Sequence, residues 1–304
     1  MSWFFIALIG PLFYAFTNHI DKYLLSKYFK EGGVGTLLIF SSLATALALP
    51  FLYFLSPDVF SIGLTNMALM FLVGVLYTGV LFFYLKALED DEASVAIVFY
   101  QLVPVFAYVL GYFILGELLS QTELLAMAII ILGASIISFE MDTENGFVLR
   151  KKTITYMLIA ALCWAAASVL FKFVALEENV WRTLFWEHLA LTVIGIILLY
   201  GVKSYREHFV QAFTTNSKAI LSLNVTSEVL YMLGNIALSY AYLLAPVALV
   251  LLADSFQPIF VLAIGIILTM FFPQIASEKI EAKHLWQKVF AVIITCIGTY
   301  LLLS

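Results

Sequence analysis

The hydrophobic pattern of this chain is a series of long apolar runs separated by short polar breaks. Val34–Leu55, Met67–Leu88, Ala93–Leu115 and Pro246–Met270 show it most plainly. Each matches the roughly 20 residues a helix needs to cross about 30 Å of hydrocarbon. Taken along the whole chain, the pattern predicts ten spans, at about 2–25, 34–55, 66–88, 92–115, 121–140, 153–175, 181–201, 217–243, 246–270 and 284–303. None alternates as a barrel strand does, so helices are the spanning element. Ten spans of about 20 residues use roughly 200 positions. The remainder is expected in short loops, with no soluble domain.

The runs repeat. Tyr14, Asn18 and Lys22 in the first span fall on Trp164, Ser168 and Lys172 in the sixth. Ser42–Leu43–Ala44 falls on His188–Leu189–Ala190, Tyr77 and Ala87 on Tyr231 and Ala241, and Pro104–Val105–Phe106 on Pro258–Ile259–Phe260. The offset stays within about 146 to 154 residues and reaches about 164 in the last span, which places an insertion at Phe271–Lys283. The expected organisation is a five-helix repeat over residues 1–141, a linker at 142–152 and a second five-helix repeat over 153–304. An odd number of spans per repeat inverts the second half across the membrane, as is common in transporters. The fold class is therefore an all-α integral membrane protein, ten transmembrane helices in two inverted five-helix repeats.

Composition agrees: 63% of the 304 residues are apolar and 12% charged, against roughly 25% charged in soluble domains. The mean hydropathy is +1.04. Cys163 and Cys296 lie inside spans and carry no disulfide or redox signal. Asn224–Val225–Thr226 fits a glycosylation sequon but also sits inside a span. The first span lacks a basic leader and a small-residue cleavage site, so it is expected to be retained. Basic residues gather on the odd-numbered connections: Lys27 and Lys30; Arg150, Lys151 and Lys152; Lys203, Arg206 and Lys218; Lys279, Lys283 and Lys288. The positive-inside rule then puts those connections in the cytoplasm and both termini outside.

These residues resemble the drug/metabolite transporter superfamily, specifically proteins with two EamA-type repeats. The resemblance is carried by Trp164 to Lys172, Ala87 to Phe106, Leu115–Gly116–Glu117 with Gly133 about one span later, and Ala245–Pro246–Val247–Ala248 leading to Pro258. The second half lacks Leu–Gly–Glu after its fourth helix, where Thr269–Met270–Phe271 stands, and Glu281 is the candidate for that role. The resemblance implies a secondary transporter of a small metabolite or drug-like solute. It also implies cytoplasmic termini, against the charge count, and fourth helices that line a central cavity.

Ionisable groups inside a span are costly, which makes them functional candidates. Asn224, Glu228, Tyr231 and Asn235 form one stripe on the eighth span, at i, i+4, i+7 and i+11. They would line a polar cavity or, alternatively, bond neighbouring helices. Glu187 and His188 begin the seventh span, as proton carriers or as hydrated interfacial groups. Asp21, Lys22 and Asn18 share a face of the first span with His19 beside them, as a site or a solvated cluster. Lys172, at matching depth, would snorkel.

Gln101 precedes Pro104, and Asp254 and Gln257 precede Pro258. Broken helices at matching positions in two halves point to a central site, the alternative being prolines that serve packing. Trp164, Trp186, Tyr231 and Tyr240 are candidates for an aromatic wall around an amphipathic or cationic solute. The acidic run Glu89–Asp90–Asp91–Glu92 reads as a solvated turn. There is no phosphate-cradling glycine loop, no His/Cys metal spacing and no serine nucleophile motif. No cofactor, metal, nucleic acid or enzymatic activity is expected. The expected function is alternating-access transport, proton-coupled or by exchange, with a lipid or lipid-linked flippase as the alternative and a passive channel or scaffold as a third. The partners are a small solute and the bilayer, a monomer suffices, and a bacterial inner membrane is the expected location.

Overall fold

The computed structural model describes residues 2–28, 33–90, 99–138, 151–215, 217–271 and 282–303, all in helices or the turns between them. The α-helices are α1 (Ser2–Lys27), α2 (Gly33–Ala44), α3 (Leu49–Leu55), α4 (Leu64–Asp90), α5 (Val103–Leu115), α6 (Gln121–Ser138) and α7 (Lys151–Glu177). They continue with α8 (Val180–Gly201), α9 (Lys203–Thr215), α10 (Ser217–Tyr242), α11 (Val247–Leu252), α12 (Gln257–Phe271) and α13 (Ala282–Leu303). Among the described residues there is no strand.

Seven stretches are long and apolar enough to cross a membrane. They are Ser2–Leu25, Gly33–Leu55, Leu64–Ala87, Lys152–Glu177, Val180–Gly201, Lys218–Tyr242 and Val247–Phe271. Three shorter apolar helices, Phe99–Leu115, Gln121–Gly133 and Val292–Leu303, stand where the other three spans are expected. The outer surface is apolar as lipid contact requires: Phe54 and Phe113 are more than three-quarters exposed. The protein is an integral, multi-pass membrane protein. The linker 142–150, the acidic pair Asp91–Glu92, the insertion at 272–281 and Glu281 lie outside the described residues.

Three helices led by a proline in their first turn are each preceded by a 3-10 turn. A 3-10 turn at Thr45–Ala48 leads into α3, with Pro50 in its first turn. Phe99–Leu102 leads into α5, with Pro104 in its first turn. Ala253–Phe256 separates α11 from α12, where Pro258 follows Gln257. A proline costs nothing at a helix start, where its missing N–H has no partner to lose, but is incompatible with an unbroken helix. The breaks expected before Pro104 and Pro258 are therefore present, and Pro50 adds a third.

The most extensive packing pairs α4 with α7, α1 with α10, and α6 with α13. α1 and α10 cross closely because Gly10 and Gly234 face each other. A Cβ on Gly234 would lie 2.9 Å from the Tyr14 ring and 3.3 Å from the Gly10 Cα. One element departs from the short-loop expectation. The connection after α8 is an amphipathic helix, α9, with Lys203 and Glu207 outward and 3.7 Å apart. On its other face Phe209 packs on Phe40, ring centroids 4.6 Å apart. A span-length hydropathy pattern overlooks such a helix because half of its residues are polar.

Candidate functional site

A cavity of about 130 Å³ lies between the helices, many times the space one water needs. Its lining comes from both halves of the chain. α1 supplies Tyr14, Thr17, Asn18 and Asp21; α2 and the turn after it supply Ser41, Ser42 and Thr45; α4 supplies Tyr77, Thr78, Val80, Leu81 and Tyr84; and Tyr100 comes from the turn before α5. From the second half come Trp164 of α7, Leu191 of α8, Ser227, Glu228 and Tyr231 of α10, and Gln257 of α12. Among the described residues, no lining residue is Lys, Arg or His.

Two carboxylates define its chemistry. Ser227 Oγ donates to Asp21 Oδ1 at 3.2 Å, Ser41 hydrogen-bonds Glu228, and the two acids are within electrostatic reach of each other. The sequence-expected Asp21–Lys22 cluster does not form at this site: Asp21 faces the cavity while Lys22 is exposed. Around the acids stands an aromatic wall. Tyr14 stacks on Tyr231 with ring centroids 5.2 Å apart, and Tyr100 meets Trp164 edge-on at 5.0 Å. Tyr84 packs on Tyr100 and donates to Asn18 Oδ1 at 3.3 Å.

The helix register explains these placements. The α10 stripe divides along its length. Asn224 turns back to Ile220 O at 2.8 Å, Glu228 and Tyr231 reach the cavity, and Asn235 donates to Glu187 Oε1 at 2.8 Å. Glu187 and His188 are buried rather than interfacial, 1% and 3% exposed. Adjacent residues point about 100° apart on a helix, and they part accordingly: His188 Nδ1 donates to Leu184 O of its own helix, at 2.8 Å. His19 Nε2 donates to Val261 O at 3.0 Å, outside the lining. Gln101 and Asp254 are buried beside the cavity, not in it; Gln101 Oε1, both Asp254 carboxylate oxygens and Glu187 Oε2 have no hydrogen-bond partner.

Of the four aromatic-wall candidates, Trp164 and Tyr231 line the cavity. Trp186 instead donates to Val59 O at 2.7 Å and packs on Phe60. Tyr240 packs on Trp181. Tyr14, Tyr77, Tyr84 and Tyr100 and the hydroxyls of α2 are functional candidates that intramembrane charge alone does not find. Tyr14, Tyr77 and Ser42 did carry a signal, as positions that align between the halves.

One end of the bundle is fastened by charge. Lys172 does not snorkel: it is 8% exposed and donates to Glu117 Oε1 at 2.5 Å and to Ala245 O at 2.8 Å. Glu117 Oε2 accepts from the Val247 N–H at 2.8 Å. Gly116 makes this possible. It ends α5 in the left-handed region at φ 67°, which glycine reaches without the steric cost of a Cβ. Nearby, Arg182 pairs with Asp58 and, at 2.5 Å, with Glu178. Asn66 Nδ2 donates to Glu177 and Glu178 at 3.1 and 3.0 Å. Hydrogen bonds from Ser56 and Arg182 hold the Asp58 carboxyl below the usual carboxylate range. Burial pushes Glu178 the other way, but Asn66, the Gly63 N–H and Arg182 outweigh it, and its net shift is also downward.

No curated protein matches the sequence. A crystal structure of a protein superposes on 97% of this chain and 95% of its own with a TM-score of 0.56 and 15% identity, a likeness of fold. Residues 1–139 match the EamA-like transporter family. The matched segment, a little under half of the chain, is similar to a family of transporters.

Proposed function

We propose that the protein is a ten-span secondary transporter, built of two inverted five-helix repeats, that moves a small organic cation by alternating access. The observation that carries the substrate class is the lining of the cavity: two facing carboxylates, no basic side chain and a wall of Tyr and Trp rings. Two negative groups close together in a poorly hydrated site repel strongly, and a cation between them relieves that repulsion. Aromatic faces add cation–π attraction, about 2 kcal/mol or more where water is excluded. An anion would be repelled by both carboxylates.

The packing supports the repeats. If the first and sixth spans correspond, and likewise the third and eighth, then the α4–α7 and α1–α10 pairs are copies of one interface. These are two of the most extensive contacts in the molecule. Breaks before Pro104 and Pro258 at matching positions support a hinge on each side of the cavity. The cavity residues lie toward the end where α1 finishes at Lys27, and the fastened Lys172–Glu117 end is opposite. With basic connections inside, the cavity belongs to the cytoplasmic half.

The test is melting of the purified protein with aromatic and aliphatic amines, their neutral isosteres, carboxylates and lipid phosphates, followed by uptake into proteoliposomes. Amines alone should raise the melting temperature, because a ligand that binds only the folded state stabilises it. Their uptake should saturate and show counterflow. Stabilisation by lipid phosphates alone would turn the reading to a flippase, and flux without saturation would turn it to a channel.

A further inference from the structure

Between the floor of the cavity and the fastened end lies a file of buried polar groups. The central cavity does not need it. Tyr77, which lines the cavity, hydrogen-bonds Ser168 of α7. Ser168 in turn accepts from the Tyr242 hydroxyl at 3.1 Å. Ser168 and Tyr242 are 0% and 1% exposed. One turn further along α7 stands Lys172, paired with Glu117, so Trp164, Ser168 and Lys172 mark three successive turns of one helix over about 12 Å. The bonds at its two ends join the halves: Tyr77 and Glu117 come from the first, Ser168, Lys172 and Tyr242 from the second.

We propose that this file is the exit half of the translocation path, resting on the transporter reading above, and that the Lys172–Glu117 pair is its gate. Interhelical bonding alone would account for the hydroxyls wherever they fell. It does not account for their lying in line from the cavity to a charged pair at the bundle's end. The pair also holds the one turn that must part. Lys172 fixes Ala245 O, and Glu117 fixes the Val247 N–H, so the α10–α11 turn is pinned both to α7 of its own half and to the segment after α5 in the first.

The energetics favour a gate over a simple brace. Removing one member of a mostly buried ion pair leaves the other charge unpaired, which penalises the closed arrangement. Opening hydrates both charges, so the open arrangement loses nothing. Neutralising either residue should therefore shift the population toward opening at this end.

The experiment needs no substrate. Ser168→Cys is introduced after Cys163→Ser and Cys296→Ser, and the protein is reconstituted in vesicles of known orientation. A membrane-impermeant maleimide is then applied from each side. With the native pair, labelling from the Lys172 side should be slow. Lys172→Gln or Glu117→Gln should raise that rate at least tenfold, without raising labelling from the cavity side, and the charge exchange Glu117→Lys/Lys172→Glu should return it toward the native rate. Unchanged labelling in both single variants, at retained melting temperature, would refute the gate. So would labelling that rises equally from both sides, which reports loosened packing. An organic-cation panel that fails while labelling switches as expected removes the cargo assignment and leaves the gate standing.

Discussion

At the end of the bundle where α5 stops and α8 starts, each of four charged side chains meets an opposite charge from the other half. Lys172 meets Glu117, and Arg182 meets Asp58, with Glu178 supporting Arg182 from its own segment. Toward the other end, Asp21 and Glu228 both line a cavity with hydroxyls and aromatic rings and, among the described residues, no basic side chain. Glu117 at one end and Asp21 and Glu228 at the other are partly buried between the same two halves, whereas Asp58 is exposed. The difference is that one has its counter-charges covalently built in and the other leaves that role to something else. Built-in pairs favour one arrangement of the halves, whereas missing ones leave a site that the proposed cation would complete.

The largest expected effect comes from erasing the charge difference. Asp21→Asn with Glu228→Gln should lower amine transport at least a hundredfold and remove the amine-dependent rise in melting temperature, while the ligand-free melting temperature holds or rises. Uptake and melting curves on the same preparations decide it; wild-type transport by the double variant would discard the two acids as the binding site.

Gly116→Ala strikes the other region. A Cβ there meets nothing within 4 Å, so the cost is the left-handed backbone alone, about 1–2 kcal/mol. The expected outcome is a lower melting temperature with amine affinity unchanged within a factor of two. A large loss of affinity would show that the two regions are not separable in this way.

Trp186→Phe removes the bond to Val59 O and keeps most of the ring packing. It should cost about 0.5–1.5 kcal/mol and leave transport intact, which separates Trp186 from the cavity rings. Tyr231→Phe, by contrast, should weaken amine binding while leaving melting nearly unchanged.

The smallest effect is that of pH on the Arg182 cluster. Asp58 and Glu178 both have carboxyls held below their ordinary values. Their contribution is therefore complete above the usual carboxylate range and is lost as pH falls through the lowered values. Labelling of a cysteine near Arg182 should be flat from neutrality to about pH 5 and rise only below about pH 4. A rise near neutrality would assign the change to some other group.

Much of this was legible in the linear pattern. Spans announce themselves because a lipid-facing helix needs about 20 apolar residues in succession, and Pro104 and Pro258 announce breaks because proline lacks the N–H an unbroken helix uses. Glu228 and Tyr231 were legible as cavity residues because intramembrane charge and helical spacing are both visible in one dimension. Lys172 was misread: alone near the end of a span it looks like a residue reaching for water, and nothing local reveals Glu117, 55 positions away. The amphipathic α9 was missed because its apolar face is too narrow to register in a span-length average.

The sequence by itself determined that the chain carries helices long and apolar enough to cross a membrane and where prolines start new helices, since each follows from local composition and periodicity. Only the tertiary structure decided which buried acids share a cavity and which are neutralised. Asp21 and Glu228, or Lys172 and Glu117, are brought together by how helices from different halves cross, and the free energy of a buried charge depends on its neighbours in space rather than in sequence.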